Sequence, residues 1–139
     1  MTNVTATASG GTSSYNVGVS NTYSSSPTMT NVTATASGAV SENCGVYNFS
    51  SSSPTMTNVT ATGKSGTYNY GLYHNGGTVL IDRSTFDGST NSIFNQTGST
   101  YIGTSKLVSA VVGGTGTYHC VGVYKYIALV LSAADAICN

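Results

Sequence analysis

Charge is what this chain most lacks. Its 139 residues include four Lys or Arg and four Asp or Glu, for a net charge of zero. Phosphate backbones call for a positive stripe, which four basic residues cannot supply, so no nucleic-acid partner is expected. Tryptophan is absent and proline occurs twice. No apolar run approaches the ~20 residues that a membrane-spanning helix needs. The longest, Tyr126–Leu131, has the length of a strand. Cys44, Cys120 and Cys138 show no Cys-x-x-Cys spacing, which argues against zinc. No glycine motif leads from a strand into a helix, so phosphate-loop readings fail. We expect neither metal nor cofactor.

What remains is Thr, Ser, Gly, Asn and 10 Tyr. Disordered chains of polar composition usually carry high net charge and few aromatic or β-branched residues. Here Val, Ile, Thr and Tyr are regularly placed, which favours strands.

Met1–Gly10, MTNVTATASG, recurs letter for letter as Met29–Gly38, and again from Met56 as MTNVTATG. A segment copied at such short steps is one structural unit stacked on itself. Degenerate copies follow at Ile81–Gly88, where Phe86 replaces Ala61, and at Ile102–Leu107. Within each copy, alternation on either side of the Asn predicts two short strands with Asn3, Asn31 and Asn58 at a half-buried bend. Stacked amides there would pass hydrogen bonds from coil to coil. A second strand recurs as Gly18-Val19-Ser20, Gly45-Val46-Tyr47, Gly71-Leu72-Tyr73, Ser92-Ile93-Phe94 and Gly122-Val123-Tyr124. Gly- and Ser-rich connections of changing length join the two groups, as loops on a solenoid do. The expected fold is all-β: a right-handed parallel β-helix of about five coils, starting near residues 1, 29, 56, 81 and 102. Residues 126–139 would form a C-terminal cap, with Ser132 opening a short helical turn.

The SSPTMTNVTATASG pattern, decaying into IDRSTFDGSTNSIFN and a closing CVGVY, resembles bacterial right-handed parallel β-helix repeat proteins of the pectin-lyase-like class. The resemblance covers nearly the whole chain. It implies architecture far more than task, since that fold hosts lyases, hydrolases, adhesins and tailspikes. Acid-polysaccharide cleavage in the class uses clustered Asp or a basic residue. Only Asp82, Arg83 and Asp87 are candidates here, all on one coil, and a surface ion pair explains them better. Paired acids at a set separation are missing, so no catalytic residue is assigned. His74 and His119 read as structural polar residues, and Cys44 as a small buried one.

Cys120 and Cys138 form a candidate disulfide, given the extracellular setting the chain suggests. No signal peptide is recognisable, and Met1 sits at the repeat position of Met29 and Met56. We therefore expect a fragment or mature product of a secreted or cell-surface protein. Asn-x-Ser/Thr sequons occur at Asn3, Asn31, Asn48, Asn58 and Asn95; three of them, Asn3, Asn31 and Asn58, are the corner Asn, so the ladder is a simpler cause than glycans.

Two surface arrays remain. Thr5 and Thr7, Thr33 and Thr35, Thr60 and Thr62 would stack as a Thr-x-Thr grid, with Thr2, Thr30 and Thr57 alongside; such a grid resembles the ice-binding face of β-solenoid antifreeze proteins. Tyr47, Tyr73, Phe94 and Tyr124 would share an outward column, a contact surface for surface glycans or for sister subunits. The expected function is a non-catalytic structural or adhesive module that associates with itself or with sister subunits through its open N-terminal edge. An ice-binding module, or a carbohydrate-binding relic, is the alternative.

Overall fold

The chain is seen in a computed structural model that describes residues 1–12, 14–109, 112–127 and 130–134. Among them there is no helix, and the strands join one sheet. In chain order they are β1 (Thr2–Ser9), β2 (Tyr15–Asn21), β3 (Thr28–Ser37), β4 (Glu42–Asn48), β5 (Thr55–Lys64), β6 (Tyr68–Asp82) and β7 (Thr85–Gly88). Next come β8 (Asn91–Gly103), β9 (Lys106–Leu107), β10 (Val112–Gly113), β11 (Thr117–Val121), β12 (Val123–Ile127) and β13 (Val130–Ala134).

Identical residues stack on identical residues, as the repeat predicts. β1 pairs with β3 and β3 with β5 in parallel, setting Val4 on Val32 on Val59 and Ala6 on Ala34 on Ala61. β2, β4, β6 and β8 stack the same way along Val19, Val46, Leu72 and Ile93. Every link between adjacent coils is thus a parallel ladder, and the architecture is a parallel β-helix. Its interior is a bundle of columns. Met29, Met56, Ile81, Ile102 and Cys120 form one, and Ala34, Ala61, Phe86 and Leu107 another. All are buried. At ~25 cal/mol per Å² of apolar surface, this continuous core is the main source of stability.

The corner residue explains why the alternation resets at each Asn. Asn3, Asn31 and Asn58 have φ of 55°, 52° and 53°, the left-handed conformation that Asn tolerates better than most residues. The corner turns the chain and sends the next residue, Val32 or Val59, inward. Register carries the same corner down to Arg83 (φ 48°) and Thr104 (φ 33°). Two expectations change here. The Asn residues are exposed, not half-buried, because the left-handed turn points them outward. Thr2, Thr30 and Thr57 precede the corner, so they lie on a different side of the coil from Thr5, Thr33 and Thr60.

Gly122-Val123-Tyr124 is a further correction. Tyr124 pairs with Lys106 on β9, below Thr85 and Thr60. Gly122, at φ 64°, is therefore a sixth corner, and Val123 continues the buried Val59, Ser84 and Ser105 column. The place below Phe94 belongs instead to Gly113. The sheet closes with β13 running antiparallel to β12. Ser132, expected to open a helical turn, lies inside β13.

Candidate functional site

The outer surfaces of the coil and its two ends are what it exposes. The corner ladder forms as expected. Asn31 Nδ2 donates to Asn3 Oδ1 at 2.9 Å, and Asn58 Nδ2 donates to Asn31 Oδ1 at 2.8 Å. Below Asn58 the ladder passes to a charged pair, Arg83 Nε donating to Asp82 Oδ2 at 2.9 Å. Just inside that corner, Ser84 and Ser105 replace the valines. Their hydroxyls accept the backbone N–H groups of Val59 and Ser84, both at 3.0 Å, so the substituted column stays satisfied.

The threonine array is real as two columns. Thr5, Thr33, Thr60 and Thr85 stack in one, and Thr7, Thr35 and Thr62 in the other. Thr side chains two residues apart lie ~7 Å apart along a strand, and successive coils ~4.8 Å apart. The second column stops at Asp87, which pairs with Lys64 at 2.9 Å and accepts from Ser109 Oγ at 2.9 Å. The first stops at Lys106.

The aromatic column contains Tyr47, Tyr73 and Phe94 but not Tyr124. Phe49 stacks above it and Tyr70 beside it, two members the sequence reading missed. Ring centroids are 5.1 Å apart for Tyr47 and Tyr73, and 5.6 Å for Tyr73 and Phe94, with planes within 20° of parallel. Rings stacked this way spend their faces on one another and offer edges outward. The stacked faces hold successive coils to one another. Tyr70 lies buried beneath it, and that burial, with the Glu42 charge, pushes its phenol up to about 12. Cys44, in the same column as Tyr70, is buried and donates from Sγ to Glu42 Oε1 at 3.1 Å; burial pushes its thiol up, which leaves it inert.

Sequence reasoning also missed a buried polar column. Asn21, Asn48, His74 and Asn95 stack in register, all buried. Asn48 Nδ2 donates to the Ser52 carbonyl at 2.7 Å and lies 3.0 Å from His74 Nδ1. With the amide so oriented, the ring accepts at Nδ1 and carries its proton on Nε2. The signal was there: each of these residues sits two places after the interior Val19, Val46, Leu72 or Ile93.

On the side ahead of the corner, Leu80, Tyr101 and His119 continue the line of Thr28 and Thr55. Tyr101 and His119 stack at 4.5 Å. With Gly103 and Val121 they border an open groove of about 280 Å³. Among the described residues no group of three His, Cys, Asp or Glu is placed to hold a metal ion, and no helix is long and apolar enough to cross a membrane. Cys120 is buried in its column; Cys138, its expected partner, lies outside the described residues.

The ends complete the inventory. Among the described residues β1 pairs only with β3 and β2 only with β4 at one end, and β10 and β11 each pair only with β8 at the other, so all four present an unpaired edge. Met1 is 46% exposed, while Met29 and Met56 are at 0%. Val4 and Ala6 are half-buried, while Val32 and Ala34 are fully covered. Compared with protein-family models, curated proteins and solved structures, the chain matches none.

Proposed function

We propose that this protein is a non-catalytic structural or adhesive module of a secreted or cell-surface bacterial assembly: a short, stiff rod that joins its neighbours through its open N-terminal coil. One observation carries the reading. Each coil is locked to the next by parallel ladders in which identical residues stack over one continuous apolar core, the build of a stiff rod rather than of a cleft.

The acids that would have to do chemistry are engaged in structure. Asp82 pairs with Arg83, and Asp87 with Lys64 and Ser109. The resemblance to β-helix repeat proteins, many of them extracellular, supports the setting. Sedimentation velocity and electron microscopy of the purified chain test the reading. Particles larger than one copy, lost when Val4→Lys places a charge on the open edge, are the expected result. Single copies at every concentration would contradict it.

A further inference from the structure

The outer face of β2, β4 and β6 carries one charge among its rings. Tyr15, Glu42 and Tyr68 stack in register on successive coils. β4 lies between β2 and β6, and β6 pairs onward with β8, so Glu42 and Tyr68 sit on coils covered on both sides and owe nothing to the ends. Glu42 is half-buried and Tyr68 is 50% exposed. Cys44 Sγ donates to Glu42 Oε1 at 3.1 Å, which uses one of the roughly four acceptor sites of a carboxylate. Among the described residues the ion pairs are Lys64 with Asp87 and Arg83 with Asp82, so Glu42 has no cation beside it. Burial raises the phenols of Tyr47, Tyr70 and Tyr73, and the Glu42 charge adds to the rise of each, so its field reaches across the aromatic face.

A carboxylate without a counterion, set beside rings, complements a cation that can use both. Among the described residues Tyr68 takes no part in the ring contacts that join Tyr47, Tyr70, Tyr73 and Phe94, so its ring is open to a partner. A guanidinium is planar, meets a carboxylate through two parallel N–H groups and stacks on an aromatic face. Successive coils lie ~4.8 Å apart, so one guanidinium can reach both Glu42 and Tyr68. An ammonium is a point charge that would use the carboxylate alone. The chain's own arginine, Arg83, is already paired with Asp82, so the cation comes from another molecule. Small free ligands favour concave sites, and this is the outer face of a stacked sheet. A longer segment suits it better, because residues flanking the arginine can cover Tyr47, Tyr73 and Phe94.

We propose that this face docks an arginine-bearing segment of a partner protein, with the guanidinium bound to Glu42 and laid on the ring of Tyr68. The inference rests on the adhesive reading above and adds the chemistry of the partner. Two-dimensional NMR of the full chain, titrated with an end-blocked Gly-Ser-Arg-Ser-Gly peptide, tests it. Amide signals of Glu42, Tyr47, Tyr68 and Tyr73 should move together and saturate, while those of Thr33 and Thr35 on another outer face stay still. The same peptide with citrulline for arginine keeps the shape and loses the charge, and should bind at least about tenfold more weakly. Glu42→Gln should cost the arginine peptide as much, and Tyr68→Ser should weaken it a few-fold. Asp82→Asn, which removes one negative charge elsewhere on the rod, should leave binding unchanged. Equal binding of the two peptides, binding that survives Glu42→Gln, or signals that move on a different face would each overturn the proposal. If a variant fails to fold, the two peptides on the unmutated chain decide. Assembly seen by sedimentation with no peptide binding would overturn the arginine contact and leave the structural reading standing, and neither assembly nor binding would overturn both.

Discussion

Replacing Gly45 by alanine probes how closely β4 and β5 approach across the coil. A Cβ built on Gly45 would lie 2.4 Å from the Thr62 nitrogen, 2.8 Å from the Ala61 carbonyl carbon and 2.9 Å from the Gly71 oxygen. The closest of these falls about 1 Å short of ordinary contact. All three are backbone atoms held in ladders, so no side chain can swing away to relieve the clash. Overpacking of this kind costs roughly 1–3 kcal/mol where side chains can give, and we expect the upper end or more. At ~2.1 cal/mol/K of unfolding entropy per residue, about 3 kcal/mol lowers the melting temperature of a chain this size by about 10 °C. Gly103→Ala is the matched control. Its Cβ would meet the far end of the half-exposed Asp82 side chain, at 3.2 Å, before the next atom at 3.7 Å. Loss of backbone freedom in the unfolded chain should then stabilise by roughly 0.4–1 kcal/mol. Thermal melts followed by circular dichroism read both. A Gly45→Ala melt within about 2 °C of the parent would refute the close approach and the narrow coil it implies.

Three further outcomes follow from packing and burial. Phe86→Ala restores the letter of the repeat, yet Phe86 is fully buried, so the cavity should cost about 3–5 kcal/mol in urea unfolding; a neutral result would mean that the coil simply collapses onto the Ala61 pattern. Burial holds the His74 ring below its ordinary value of 6.5, so the fold keeps it neutral. The unfolded chain takes up that proton first, and stability should be full above pH ~6.5 and fall as pH drops below it. His74→Asn, which continues the column of Asn48 and Asn95, should flatten that slope, and an unchanged slope would assign it elsewhere. Thiol titration in denaturant should find one group per chain, Cys44, before reduction and three afterwards; three at the outset would remove the Cys120–Cys138 pairing.

Much of the coil was legible because a repeat states its own register. The columns of Val4, Val32 and Val59, the Asn ladder and the Phe86-for-Ala61 exchange follow from aligning copies, and parallel stacking needs nothing more. Gly122-Val123-Tyr124 misled because its letters match Gly45-Val46-Tyr47. The two glycines differ only in backbone: Gly122 takes φ 64° at a corner, while Gly45 sits in a strand pressed against its neighbour. Letters do not reveal that difference. The presentation of the aromatic column was not legible for another reason. Sequence puts Tyr47, Tyr73 and Phe94 in one column, but whether the rings show faces or edges depends on their tilt, which coil spacing sets at close to parallel. Asn21, Asn48, His74 and Asn95 escaped notice because Asn is common throughout the chain, and only its place two residues after an interior apolar one marks it as buried.

The account depends on copied segments lying directly on one another, and paired cysteines on one outer column test that most directly. Thr5 sits on Thr33 and Thr33 on Thr60. Adjacent coils put their Cα atoms ~4.8 Å apart, within reach of a disulfide, while Thr5 and Thr60 lie about twice as far apart, beyond the ~7 Å limit. Under mild oxidation, Thr5→Cys with Thr33→Cys, and Thr33→Cys with Thr60→Cys, should form intrachain disulfides, while Thr5→Cys with Thr60→Cys should not. Equal cross-linking of all three pairs, or of none, would contradict the stacked coil.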